Sequence, residues 1–201
     1  MDKISRISGL AVPLNRRDVD TDIIIPAQYL TQVGKSGYAE ALFRRLRDSD
    51  PDFVFNQARY QKASILIAGD NFGCGSSREH AVWALLESGI NVVISSSFSD
   101  IFYSNAAKNN LILIQQPEEN LQTMLDNAAA NEYIVTIDIA NQQIITSLDE
   151  IFSFALEPFR KHCLLNGLDL MEYILSHEDK ITAYEQRQQQ SFSTVFNALS
   201  I

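Results

Sequence analysis

The chain has 201 residues, 46% hydrophobic and 20% charged, enough for one well-buried domain and too few for two full enzyme domains. Its formal charge of -9 comes from 25 acidic against 16 basic residues, and no basic run is long enough to offset phosphate repulsion, which argues against a nucleic-acid partner. Near the start, Ile4, Ile7, Leu10 and Val12 alternate with polar residues instead of forming a signal-peptide core, and no window approaches the roughly 18 apolar residues of a membrane span. The expectation is a soluble, cytoplasmic chain with a single domain over residues 1–201, of which 186–201 form a C-terminal extension.

In chain order, the apolar run 64–68 ends in Gly69–Asp70, which suits a buried strand opening into a loop. Val82, Leu85, Leu86 and Gly89 then recur at i, i+3, i+4 and i+7, so the spacing predicts a helix over 77–88, with Gly89 as its stop. Val92–Val93–Ile94 reads as a second buried strand, 99–109 as a second helix and 111–114 as a third strand, giving a βαβαβ run. Pro117 suits a first helical turn, and Leu121, Met124, Leu125 and Ala128 continue the helical period. Segments 134–138 and 143–146 read as a hairpin across Ala140–Asn141, followed by a strand over 151–156. Helices near 158–166, 169–176 and 179–190 follow, and Phe192, Val195, Phe196 and Leu199 carry one apolar helical face into the tail. The class is α/β, a mostly parallel core sheet flanked by helices, with added antiparallel strands.

Chemistry concentrates between the 64–68 strand and its helix, in Asp70–Asn71–Phe72–Gly73–Cys74–Gly75–Ser76–Ser77–Arg78–Glu79–His80. The carboxyl ends of parallel strands face helix N-termini, where unpaired N–H groups favour anions. Gly73 and Gly75 allow backbone to approach a ligand, and Arg78 offers a fork matched to a carboxylate. Ser76-x-x-Glu79 is equally the pattern of a capping box, and spacing alone does not separate the two readings. Gly73-x-Gly75-x-x-Arg78 lacks the third glycine of a dinucleotide loop, and Tyr29 stands where a phosphate loop ending in Gly34–Lys35–Ser36 needs glycine. His80, His162 and His177 each stand alone. The two cysteines, Cys74 and Cys163, lie far apart and form neither a disulfide framework nor a C-x-x-C metal knuckle, so no metal ligand is assigned here.

The stretch 69–85 resembles the G-S-S-R-E-H-A signature of the swivelling domain in the aconitase superfamily, and Asn71–Phe72–Gly73–Cys74–Gly75 resembles the bacterial isopropylmalate isomerase small subunits in particular. Asp18–Val19–Asp20–Thr21–Asp22 with Ile25–Pro26, then Phe159–Arg160–Lys161–His162–Cys163, Asn166–Gly167–Leu168–Asp169 and Ala183–Tyr184–Glu185, extend the likeness over most of the chain. The resemblance implies an aconitase-type swivelling β/β/α domain acting in leucine biosynthesis. Water leaves 2-isopropylmalate to give isopropylmaleate and returns at the neighbouring carbon. In that family Ser76 is the base, while Ser77, Arg78 and Asp22 contact substrate. A four-iron four-sulfur cluster sits on a large subunit, the implied partner, and no cofactor is expected on this chain. The resemblance also places substrate choice in Tyr29, Leu30, Val33, Lys35 and Tyr38, whose balance suits an isopropyl group better than a third carboxylate. Bacterial relatives carry a basic residue after Ile–Pro where this chain has Ala27, which leaves a 2-methylmalate or dimethylmalate hydro-lyase open. A non-catalytic subunit of the same fold is the further alternative.

Overall fold

The computed structural model describes residues 3–30 and 36–198, without the side chains of 190–198. One seven-stranded sheet runs through it in the order β4-β3-β2-β1-β5-β6-β7. Its strands are β1 (Arg6–Leu14), β2 (Ala63–Ala68), β3 (Val92–Ser95), β4 (Ile112–Gln115), β5 (Ile134–Asp138), β6 (Gln143–Thr146) and β7 (Ile151–Ser153).

Strand β1, which the sequence did not single out, joins the two halves. Arg6 to Leu10 pair antiparallel with β5, whereas Leu10 to Leu14 pair parallel with β2, and the register shifts between Leu10 and Ala11. Burial along the strand changes at the same place. Exposed and half-buried residues alternate at first, and the last four are all buried. Antiparallel sheet tolerates a wet face, but parallel sheet has helices on both sides.

Alternate residues of the parallel strands feed two cores. Val12, Leu66, Ala68 and Val93 face α3 (Glu79–Glu87) and α4 (Asp100–Lys108). Ala11, Ile65, Ile67, Val92 and Ile94 face α5 (Glu118–Ala130) and Leu164 of α6 (Pro158–Asn166). Two short helices, α1 (Thr21–Ile24) and α2 (Arg44–Ser49), precede β2, and α7 (Leu170–Leu175) and α8 (Glu178–Ala198) complete the chain.

Two local expectations change. The helix expected over 77–88 begins at Glu79, and Ser76 does not cap it: Arg78 occupies the cap position, with no side-chain cap bond. The Glu79 carboxylate instead accepts from Asn109 Nδ2 at 2.6 Å, beyond the end of α4. The capping box that does form lies elsewhere, between Asp169 and Glu172 at the start of α7. Pro117 stands at the cap position of α5 and not in its first turn.

Candidate functional site

Parallel pairing of β1 with β2 brings their carboxyl ends side by side, Leu14 opposite Ala68. The segments that leave those ends, 15–22 and 69–78, therefore run beside each other although more than fifty residues separate them. They are zipped together by backbone: Asp18 N donates to Asp70 O at 2.9 Å, Gly73 N to Val19 O at 2.8 Å, and Thr21 N to Cys74 O at 2.9 Å. The 69–78 loop is held on its other flank as well. Phe72 N donates to Ser97 O at 3.1 Å, and Ser99 Oγ to Gly73 O at 2.6 Å.

Glycine is required at two points of this loop. Gly73 (φ +76°) lies against the Phe102 ring, where a Cβ would overlap it, and Gly69 packs on the Arg16–Arg17 backbone in the same way. Gly73 therefore serves the chain's own packing rather than close approach to a ligand. Asp70 anchors the loop's start. Its carboxylate accepts from Ser97 Oγ at 2.6 Å, Arg17 Nη2 at 2.9 Å and Ser96 Oγ at 3.0 Å, and these bonds pull its pKa down to about 2.

The loop presents Ser76, Ser77 and Arg78. Ser76 and Ser77 are exposed, and neither hydroxyl has a hydrogen-bond partner among the described residues. Arg78 is largely covered, its side chain 19% exposed, and Nη1 donates to Asp22 Oδ1 at 2.5 Å. That bond holds the Asp22 carboxyl below the usual carboxylate range. Asp22 also accepts from Ala27 N at 3.2 Å. A guanidinium has five N–H donors, and the others of Arg78 make no bond among the described residues. The arrangement is a fixed, partly spent cation beside two unpartnered hydroxyls on an open face. Arg78 is the cap residue of α3, so Ser76 stands two residues before it and not at the helix terminus expected from sequence.

The other expected site residues scatter. Tyr29 and Leu30 are half-buried at the edge of the α3–α4 core. Tyr38 is fully buried, its ring centroid 5.3 Å from that of His80 and 5.8 Å from that of Trp83, and its N–H donates to the Glu87 carboxylate at 2.6 Å. Tyr38, within the segment to which the resemblance assigns substrate choice, is thus a core residue packed against α3. Val33 and Lys35 lie outside the described residues. His80 packs between Tyr38 and Trp83, as a structural histidine would.

Sequence reasoning passed over Asp20, which caps α1 by accepting from Ile23 N at 2.7 Å, and Thr21, whose buried hydroxyl donates to Ser76 O at 3.0 Å. The signal available was the dense Asp18–Val19–Asp20–Thr21–Asp22 run itself.

A four-iron cluster needs several cysteine thiolates. The chain has two cysteines, Cys74 in the loop and Cys163 buried in α6. Burial and the neighbouring Asp20 and Asp18 carboxylates push the Cys74 thiol up, away from the thiolate a metal takes. Among the described residues no group of three or more His, Cys, Asp or Glu side chains could hold a metal ion. The residues of this chain do not fit such a cluster.

Comparison with known proteins fits this geometry. The model of the aconitase C-terminal domain family matches residues 1–119, the part that contains both zipped segments, which defines the class as an aconitase-type C-terminal domain. A protein of Francisella tularensis subsp. novicida named 3-isopropylmalate dehydratase small subunit is 49% identical over 188 residues, 94% of this chain and 99% of that one. One of the same name from Novosphingobium aromaticivorans is 44% identical over 191 residues, 95% of this chain and 93% of that one. The crystal structure of 3-isopropylmalate dehydratase from Methanocaldococcus jannaschii superposes with a TM-score of 0.65 at 30% identity, covering 90% of this chain and 99% of that one. The chain belongs to the family of 3-isopropylmalate dehydratase small subunits. A model of the small subunit's C-terminal domain matches residues 175–198, the region of α8.

Proposed function

We propose that this chain is the base-bearing half of an isomerase that interconverts 2-isopropylmalate and 3-isopropylmalate through isopropylmaleate, working in the cytoplasm with a large subunit that carries the iron–sulfur cluster. The observation that supports this most is the open Ser76–Ser77–Arg78 face, with both serine hydroxyls unpartnered among the described residues and Arg78 held by Asp22. A face so polar and so exposed is half a site. A partner surface that covers it would exclude water and strengthen each electrostatic interaction there.

In this reading Ser76 acts as its alkoxide, stabilised by the neighbouring Arg78 cation, and takes the proton from the carbon next to the one bearing the hydroxyl. The C–H electron pair forms the C=C bond as the hydroxyl departs with its C–O pair, and Ser76, now a hydroxyl, returns a proton on rehydration. Arg78 directs its unspent N–H donors at a substrate carboxylate, with Ser77 adding a hydroxyl donor. Asp22 acts on Arg78 rather than on substrate, because a second carboxylate facing a dianionic ligand is repulsive. The short bond between them fixes the guanidinium while leaving its other donors available. Tyr29 and Leu30, half-buried in and just after the short turn that follows α1, are the described residues to which this reading gives the substrate's alkyl group. Among the described residues no helix is long and apolar enough to cross a membrane.

The test is reconstitution. The purified chain is mixed with a cluster-loaded large subunit and supplied in parallel with 2-isopropylmalate and 2-methylmalate. Interconversion of the isopropyl substrates with at least about ten-fold preference, the discrimination that a few buried methyl groups supply, supports the reading. Preference for the methyl compound transfers the chain to the related hydro-lyase. No turnover of either leaves a non-catalytic subunit.

A further inference from the structure

Ser76 poses a problem of position. Its side chain is exposed and makes no bond among the described residues, it follows a glycine with a φ of +88°, and the helix that could have held it starts three residues later. A base must be held to within a fraction of an ångström of the proton it removes. The constraint on Ser76 must therefore come through its backbone.

Thr21 supplies it. At the first position of α1, Thr21 is 2% exposed and sits directly under Gly75, where a Cβ on the glycine would lie 3.7 Å from Thr21 Oγ1. Its backbone N–H donates to Cys74 O at 2.9 Å, and its hydroxyl donates to Ser76 O at 3.0 Å. The two bonds grip the carbonyls on either side of Gly75, the one residue in this stretch whose backbone is freest to move. Arg78 N donates to the same Ser76 carbonyl at 2.8 Å, closing the turn from the other side. Thr21 is itself fixed by the Asp20 cap and by the continuation of α1, which Phe43 N ties down through Ile24 O at 2.8 Å. The neighbouring Asp22 meanwhile holds Arg78. Adjacent residues of one short helix thus reach the two ends of the Ser76–Arg78 segment.

We propose that Thr21 is a positioning residue for this site: its hydroxyl latches the Ser76 carbonyl across Gly75 and so fixes the serine's place and direction relative to Arg78. The inference rests on Ser76 acting as the base. A structural hydroxyl would matter equally to folding whatever stands at residue 76. A latch would matter to the chemical step.

The experiment compares Thr21→Val, Thr21→Ala and Thr21→Ser in the assembly with the large subunit. Valine keeps the shape and the Cys74 bond but has no hydroxyl; serine and alanine both lose the methyl, and only serine keeps the hydroxyl. The expected result is a fall in kcat of about ten-fold or more for valine and alanine, since a ~1 Å misplacement costs on the order of 10²-fold, with KM within about two-fold of wild type. Serine should retain kcat within about three-fold, the hydroxyl bond being preserved. Equal kcat for the serine and alanine variants would overturn the latch, and so would full activity in the valine variant. The serine–alanine comparison decides the matter even if valine prevents folding. Wild-type assembly that isomerises nothing would overturn the functional reading itself, an outcome distinct from a dispensable Thr21 in an active enzyme.

Discussion

Ser76→Ala should separate catalysis from folding. The hydroxyl is exposed and bonds to nothing among the described residues, and the tie on Ser76 is to its carbonyl, which alanine keeps. The stability cost should therefore stay within about 0.5 kcal/mol, the range of surface changes that touch no special feature. For a chain of this size about 1 kcal/mol moves Tm by roughly 2–4 °C, so the shift should be no more than about 2 °C. A serine that capped α3 would instead cost about 0.5–2 kcal/mol and lower Tm by up to roughly 8 °C. Turnover should fall on the order of 10²–10⁴-fold, the usual contribution of a general base. Thermal melting of the isolated chain and steady-state kinetics of the assembly measure the two effects separately. A fall in Tm well beyond about 4 °C would mean that Ser76 caps the helix after all, and turnover within about two-fold of wild type would remove it as the base.

Glu79→Ala should do the opposite: losing the acceptor for Asn109, whose Oδ1 in turn receives Trp83 Nε1 at 3.0 Å, it should cost about 1–2 kcal/mol in denaturant unfolding, with Glu79→Gln recovering most of it. An unchanged midpoint in the alanine variant would show that this network does not hold α3 to α4. The Asp70 carboxyl has a folded pKa of about 2 against an ordinary 3.8, so its contribution is complete above about pH 4 and is lost as pH falls from 4 towards 2. Asp70→Asn should be less stable than wild type at neutral pH, with the gap closing over that window in melting curves. A gap that persists unchanged to pH 2 would show that the ionised carboxylate is not what anchors the loop.

The βαβαβ run and the hairpin were legible because continuous apolar runs and helical periods are local signals, and their strands stand where the pattern put them. β1 carries local strand signals too, an alternating first half and a short apolar second half, but neither marks it as the junction of the antiparallel and parallel parts of the sheet. Its role as the junction depends on partners more than fifty residues away. The helix expected over 77–88 came from its apolar period, and the Ser76–Glu79 pattern was open to reading as its capping box; the helix begins at Glu79. Asn109 and Asp22 outcompete that pair for Glu79 and for the cap residue Arg78, and both come from distant segments. Tyr38 stands among glycines and polar residues in sequence, yet its ring fills a core position on α3. The functional motif itself was readable as a run of residues. The resemblance already grouped Asp22 with Ser77 and Arg78; that Thr21 also bonds to the same loop follows only once β1 and β2 are paired in parallel.

Hydrogen exchange with solvent tests the central claim most directly, because removing a carbon-bound proton is the step assigned to this chain. With both subunits present in D2O, 2-isopropylmalate and 3-isopropylmalate should interconvert and acquire deuterium at the reacting carbons, as read by mass spectrometry. Neither subunit alone should introduce any, and Ser76→Ala should abolish most of the exchange in the assembly. Deuterium entering at the full rate with the large subunit alone, or with the Ser76→Ala chain, would place the base elsewhere and contradict the account.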